Sequence, residues 1–339
     1  MSTETDSGSP DRACDRLRAG DPERTGATER DPADVGLPGA DAAAQHNGPL
    51  LAIPNFSDGS SPRTITAIAE ALTGARPDVR LLDTHTDIDH NRTVYTLAGD
   101  QAALTDALIA GAAAAIARID IATQRGEHPR VGALDVAPFV YLTPDRRGAA
   151  CAAALTLGDR LATELELPVF LYGELTDHVV TRAIVRRGGP VELQRRIDAG
   201  ELIPDFGPRK LHPRGGAVLV AARPPLIAFN VELEPPATVE QARLIAAAIR
   251  DGGNEGLPSL KAIGLTLAHR DGIAQVSTNI EDYRRTGAAA VIRAIARHAP
   301  VARAEIVGLP PRAAFAGFPN EVELLNARFL EDALAAADG

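Results

Sequence analysis

The 339 residues contain no tryptophan, two cysteines, and lysine only at Lys210 and Lys261. Cys14 and Cys151 are too few for a disulfide framework, and no C-x-x-C pair is present to bind zinc. Aromatic residues make up 4% of the chain, so core packing falls to Ala, Leu, Ile and Val. No run of about eighteen apolar residues occurs, so no membrane span is expected. The N-terminus lacks the basic-then-apolar pattern of a signal peptide, which makes the cytoplasm the expected location. A formal charge of −10 argues against nucleic acid or an anionic membrane as partner, although a local arginine cluster could still hold an anionic small molecule. Also missing are G-x-x-x-x-G-K-[ST], G-x-G-x-x-G after a strand, G-x-S-x-G and H-E-x-x-H. Phosphate-loop, Rossmann, α/β-hydrolase and zincin readings thereby lose their main support.

What is present divides into an extension and a repeated pattern. Residues 1–48 are rich in Asp, Glu, Arg, Gly, Pro and Ser without apolar periodicity, which predicts a disordered N-terminal extension. From Leu50 onward the chain reads as strand 50–53, a helix opened by Ser61 and Pro62, strands 79–86 and 92–99, helix 101–120 and strand 133–142. A helix over 146–165, a strand at 168–172 and helical or irregular segments to Pro204 follow. The second half repeats the order: strand 225–233, helix 238–252, a hairpin of 260–268 and 273–283 turning through "HRDG", helix 288–299 and strand 302–309. The predicted fold class is α/β (α+β): two tandem ferredoxin-like βαββαβ subdomains, 49–223 and 224–339, with the ligand cleft between them.

Four stretches carry candidate chemistry. "RGEHPRVGALD" (125–135) presents His128 from a backbone shaped by Pro129 and the glycines. Such a histidine is either a reactive imidazole or a turn residue bonded to Glu127 or Arg130. "THTDIDHNR" (84–92) offers His85, Asp87, Asp89 and His90, donors that zinc or manganese accepts, with His128, His178 or His212 as a distant ligand; otherwise it is a polar turn. "LYGE" (171–174) ends a strand on Tyr172 and Glu174. "PDFGPRKLHPRGGA" (204–217) gathers Arg209, Lys210, His212 and Arg214 in a loop between the expected lobes, able to take a carboxylate or simply to be a solvated linker.

Together with "IPNFSDG" (53–59), "DHNRTVYTLAG" (89–99), "PVFLYGE" (168–174), "IAFNV" (227–231), "AQVSTN" (274–279) and "EIVGL" (305–309), these stretches resemble the formiminotransferase domain family, in chain order, from Leu50 to the C-terminus. The resemblance is to the transferase domain alone, without the cyclodeaminase domain of the animal enzymes. It implies two α/β subdomains with the ligands between them. It also implies transfer of a formimidoyl group from N-formimino-L-glutamate to N5 of tetrahydrofolate, which is then a co-substrate, in histidine degradation. No metal is expected.

The resemblance makes His128 the catalytic residue. It assigns folate to the loop Gly207, Pro208, Arg209, Lys210, Leu211, His212, Pro213, Arg214, Gly215 and Gly216; Tyr172 is expected beside the folate, and Asn55, Asn91, Arg92 and Arg130 at the donor, the arginines because the substrates carry carboxylates. The assignment of His128 is chemically sensible, because one imidazole titrating near neutrality can take the proton from N5 and give one to the departing glutamate nitrogen. The partners expected are small molecules, with a homodimer as one option. The competing readings are a family variant with another donor or acceptor, or with 5-formyltetrahydrofolate cyclo-ligase activity; a metal-dependent hydrolase built on "HTDIDH"; and a folate-binding protein without turnover.

Overall fold

Serine and proline set the first helix boundary, as the sequence implies. The Ser61 side chain accepts the Thr64 N–H, Pro62 fills the first turn, and helix α1 runs Pro62–Gly74. Before it lie strands β1 (Leu50–Ala52) and β2 (Asn55–Phe56), one extended segment interrupted at Pro54. Strands β3 (Arg80–Asp87) and β4 (Arg92–Gly99) form a hairpin. Asp100 caps α2 (Gln101–Arg118) by accepting the Ala103 N–H, and β5 (Leu134–Val140) follows. In this computed structural model, residues 48–125 and 129–338 are described. The expected N-terminal extension therefore falls almost wholly outside the described residues.

The strands lie in the order β3, β4, the β1–β2 segment, β5, with every neighbour antiparallel. That is the ferredoxin-like order expected from βαββαβ. Helix α3 (Arg147–Leu165), strand β6 (Val169–Leu171), helices α4 (Arg182–Arg186) and α5 (Gly189–Asp198) and strand β7 (Val218–Arg223) extend the unit. Strand β7 sits between β5 and β6, parallel to both. The sequence reading has no strand here and treats 204–217 as a linker. "VLVAAR" shows no alternation because both faces of β7 are buried, as in parallel sheets generally. The basic loop thus lies within the first unit, between α5 and β7.

The second unit repeats the arrangement. It comprises β8 (Ile227–Leu233), α6 (Val239–Ile249), β9 (Leu260–Leu267), β10 (Ile273–Ile280), α7 (Ala288–Ala296) and β11 (Val301–Val307), ordered β11, β8, β10, β9. A short strand β12 (Glu323–Leu325) adds in parallel beside β11, and α8 (Leu330–Asp338) ends the described chain. The β9–β10 turn falls where "HRDG" predicts it, with Asp271 and Gly272 both in the left-handed region.

Each sheet buries one face under its helices. Phe56, Tyr95, Leu97 and Phe139 pack against Ile68, Leu72, Leu104, Leu108 and Leu157 in the first unit. Phe229, Val231, Val276 and Ile306 pack against Ile245, Ile249, Val291 and Phe315 in the second. The other face of the first sheet is covered at one end by Val185, Leu193 and Ile197 of α4–α5, and at the other by Leu309 and Leu330. Between these two covers it meets the second sheet. No helix among the described residues is long and apolar enough to cross a membrane.

Candidate active site

Alternation along the strands gives the two facing surfaces their chemistry. Tyr95 and Leu97 of β4 point to the helices, which turns Arg92, Val94 and Thr96 the other way. His85 is paired with Val94 and Asp87 with Arg92, so these β3 residues share that face. On the second sheet the same parity exposes Ala228, Asn230 and Glu232 of β8, Gln275 and Asn279 of β10, and Glu305 and Val307 of β11. Polar residues thus line both inner faces, and Asn55, Asn230, Glu232, Gln275 and Glu305 are all buried.

A cavity opens between the sheets, about 520 Å³ when the space open to solvent is counted. Its first wall carries Asn55, Arg92, Thr96, Tyr172, Arg182 and Arg223; Ala228, Asn279, Val307 and Gly308 line it from the second unit. Asn55 Oδ1, Thr96 Oγ1, the Tyr172 hydroxyl and Arg223 Nε are buried there without a hydrogen-bond partner among the described residues. Each such group costs about 1–3 kcal/mol when left unsatisfied, so this lining suits a polar ligand. A smaller pocket of about 170 Å³, lined by Ser57, His90, Asn91, Arg92, Arg130 and Asp135, shares Arg92 with the first.

The two pockets share one electrostatic arrangement. Burial pulls Arg92 down to about 9, Arg186 repels it further, and Asp135 partly offsets both. Burial likewise lowers Arg130, and brings Arg223 to about 10. Asp135 is the buried counter-charge: it pairs with Arg186, and its other oxygen accepts the Val131 N–H at 2.7 Å. Several arginines around one carboxylate leave a net positive site that favours anions.

Asn55, Arg92 and Tyr172 come together in the larger cavity, and Asn91, Arg92 and Arg130 in the smaller one. Asn91 takes a left-handed backbone (φ 46°). Its Oδ1 accepts the Gly59 N–H at 2.9 Å, while its Nδ2 donates to Gln124 Oε1 and the Arg125 carbonyl, each at 2.7 Å. Arg130 donates to the carbonyls of Asn91 (3.2 Å) and His90 (2.7 Å). The β3–β4 turn therefore fastens the chain on either side of residues 126–128. Gly59 is needed for this closeness, since a Cβ there would sit 2.1 Å from the Asp87 carbonyl oxygen. His128 itself lies outside the described residues.

Among the described residues, neither cavity is lined by the loop Gly207–Gly216. Much of that loop's polarity is used internally. His212 Nδ1 accepts the Gly215 N–H at 2.8 Å, and Leu211 N–H donates to Gln194 Oε1 at 2.7 Å. Arg214 donates to the Ile116 and Ala117 carbonyls near the end of α2. Gly216 (φ 68°) lies against the Val131 carbonyl, where a Cβ would clash at 2.1 Å. Arg209 and Lys210 remain exposed.

Three of the "HTDIDH" donors, Asp87, Asp89 and His90, meet partners in the structure, while His85 Nε2 is buried without a hydrogen-bond partner among the described residues. Asp87 Oδ2 meets His90 Nδ1 at 2.7 Å, and Asp89 Oδ1 accepts the His269 N–H at 2.7 Å. Burial raises the Asp87 carboxyl, but the His90 hydrogen bonds outweigh it and bring the group to about 2. Burial lowers His85. Among the described residues no group of three or more His, Cys, Asp or Glu side chains is placed to hold a metal ion. Sequence reasoning did not single out Thr96, Asp135, Arg182, Arg186, Arg223 or Asn279 as site residues. Asp135 and Asn279 fall within quoted motifs, but Arg182 and Arg186 lie on a short helix with no motif to mark them.

The comparisons with known proteins cover both units. The N-terminal subdomain of the formiminotransferase domain matches residues 50–223, and the formiminotransferase domain matches residues 228–318. The chain belongs to the formiminotransferase domain family. The glutamate formimidoyltransferase of Thermoplasma acidophilum is 37% identical over 273 residues, 77% of this chain and 88% of that protein. That of Streptococcus pyogenes serotype M1 is 35% identical over 266 residues, 76% of this chain and 88% of its own length. The formimidoyltransferase-cyclodeaminase of Gallus gallus is 36% identical over 274 residues, 77% of this chain but 50% of that protein. The chain thus spans about half the length of such cyclodeaminase relatives. Both inner faces of the intersheet cavity come from stretches within the formiminotransferase matches.

Proposed function

We propose that this member of the formiminotransferase domain family transfers the formimidoyl group of N-formimino-L-glutamate to N5 of tetrahydrofolate, releasing L-glutamate and 5-formimidoyltetrahydrofolate. The reaction belongs to histidine degradation and takes place in the cytoplasm. The observation that carries this reading is the arginine-rich cavity between the sheets. Both substrates bear carboxylates, which arginines bind through paired N–H groups. In the reaction N5 bonds to the amidine carbon and loses its proton, and the C–N bond to glutamate breaks as that nitrogen gains one. His128 takes the first proton and supplies the second. Arg92 and Arg130, with Asn55 and Asn91, hold the donor. Tyr172 and the Gly207–Gly216 loop receive the folate, whose glutamate tail is drawn to exposed Arg209 and Lys210.

Mixing the full chain with tetrahydrofolate and N-formimino-L-glutamate, and following 5-formimidoyltetrahydrofolate by absorbance, tests the reading. Product formation that depends on both substrates is the expected result. Folded protein that forms none would overturn it.

A further inference from the structure

The larger cavity has three arginines, Arg92, Arg182 and Arg223, and among the described residues no carboxylate in its lining. Arg182 opens helix α4, and its guanidinium carbon stands 5.9 Å from the centre of the Tyr172 ring. Arg223 ends β7 and donates to the Pro224 carbonyl at 2.9 Å, while its Nε is buried without a partner among the described residues. Around them, Tyr172 and Asn55 are each more than nine-tenths buried, with a polar atom unpartnered in the cavity. Ile53, Val94, Val136 and Leu226 supply apolar walls. Burial, and after it the Arg182 charge, disfavour the charged form of Arg223; Tyr172 and Glu281 offset part of this, and an anion bound between the arginines would offset more. Two guanidinium groups beside a phenolic hydroxyl suit a planar carboxylate, while the Asn55 amide oxygen, whose Nδ2 is given to the Ile53 carbonyl, suits a donor elsewhere on the ligand.

We propose that Arg182 and Arg223, with Tyr172 between the ring contact and the cavity, form a carboxylate clamp for a glutamyl group. The clamp holds one carboxylate and leaves Arg92, which lines both pockets, to meet the second. It is a specificity-determining pair that selects a dicarboxylate over a monocarboxylate and moves no proton. The proposal rests on the functional reading above, in which two molecules carry a glutamyl group: the formimidoyl donor and the folate tail.

Binding calorimetry on the full chain tests the clamp without any transfer reaction, using glutarate, butyrate, L-glutamate and p-aminobenzoyl-L-glutamate as probes. The unaltered chain should bind glutarate at least about tenfold more tightly than butyrate. Arg182→Gln and Arg223→Gln should each weaken glutarate by about ten- to a hundredfold, the range for a hydrogen bond to a charged group. Butyrate, which retains the Arg92 side, should change little, so the dicarboxylate preference collapses. Retained butyrate binding also shows that the variants fold. Arg182→Lys should fall between the two, because it keeps the charge and loses the planar fork. A loss for L-glutamate identifies the donor as the clamped molecule, and a loss for p-aminobenzoyl-L-glutamate identifies the folate tail; either supports the clamp. If the chain shows no transfer but Arg182→Gln still loses glutarate, the functional reading fails and the clamp stands. Unchanged affinity for every dicarboxylate in both glutamine variants overturns it.

Discussion

The two units share a strand order and differ in what they bring to the surface between them. The first unit contributes the buried or half-buried cations Arg92, Arg130 and Arg186 near one carboxylate, Asp135, and Arg182 and Arg223 in the larger cavity. The second contributes amides and acids, namely Asn230, Gln275, Asn279, Glu232 and Glu305. The first unit is also the larger, because β6, β7, α4 and α5 extend it beyond the βαββαβ pattern, and that extension supplies Arg182, Arg186, Tyr172 and Arg223. A repeated fold thus provides two scaffolds, while three of the five cations sit in the additions to one of them. Fold and function sit on different parts of the same architecture.

The sharpest break in that comparison is catalytic. His128→Ala in the first unit should lower turnover by about a hundred- to ten-thousandfold with folate affinity largely kept, as expected for a general acid–base group. Added imidazole should restore part of the rate to His128→Asn. A loss of only a few-fold would return His128 to a structural role.

Next in size is stability. Asp135→Ala strands Arg186, whose side chain is only 8% exposed, and should cost about 3–5 kcal/mol in urea unfolding. Glu232→Ala in the second sheet should cost less, since its partners Arg270 and Arg303 are about a third exposed and can turn to solvent. Equal losses would remove the electrostatic contrast between the sheets.

Acid titration should sharpen it, because Asp87 and Glu305 face one another across the interface. Asp87 is held below its ordinary value, so its contribution is present above 3.8 and lost as the pH falls toward about 2; Asp87→Asn should flatten that limb of the stability curve. Burial, then Asp87, raises Glu305 above its ordinary value, so its charged form destabilises the fold as the pH rises. Glu305→Gln should therefore increase the melting temperature at pH 7. A decrease would show that the Asn326 bond to its carboxylate outweighs burial.

Smaller effects come last. Replacing Arg209 and Lys210 together with serine should raise KM for polyglutamylated folate more than for the monoglutamate, with about a kcal/mol or less per contact and a shift that shrinks at high salt. Equal shifts for both folates would take the loop out of the folate site. A chain starting at Pro49 should keep its melting temperature and activity, in line with the polar composition of residues 1–48. A large change in either measurement would contradict that expectation.

Much of this was legible in the sequence because it is local. The helix capped at Ser61, the strands and the Asp-Gly turn all follow from short-range sterics and hydrogen bonding. The tandem βαββαβ order needed nothing more, while the family resemblance came from the quoted motifs in chain order. Strand β7 escaped because a segment buried on both faces carries no period to distinguish it. The partners of the "HTDIDH" donors were hidden for a related reason: the sequence shows which donors are near one another, but not that Asp87 turns to His90 and Asp89 to His269, 180 residues away.

The sequence alone therefore determined the elements, their repetition and the motifs that mark the family. Only the tertiary structure decided that Arg92, Arg182 and Arg223, separated by long stretches of chain, line one cavity, and that Asp135 and Arg186 neutralise each other beside it. The physical reason is range. Helix caps and strand periodicity are set over a few residues, whereas the charge of a buried site is a sum over groups that meet only once both sheets have packed.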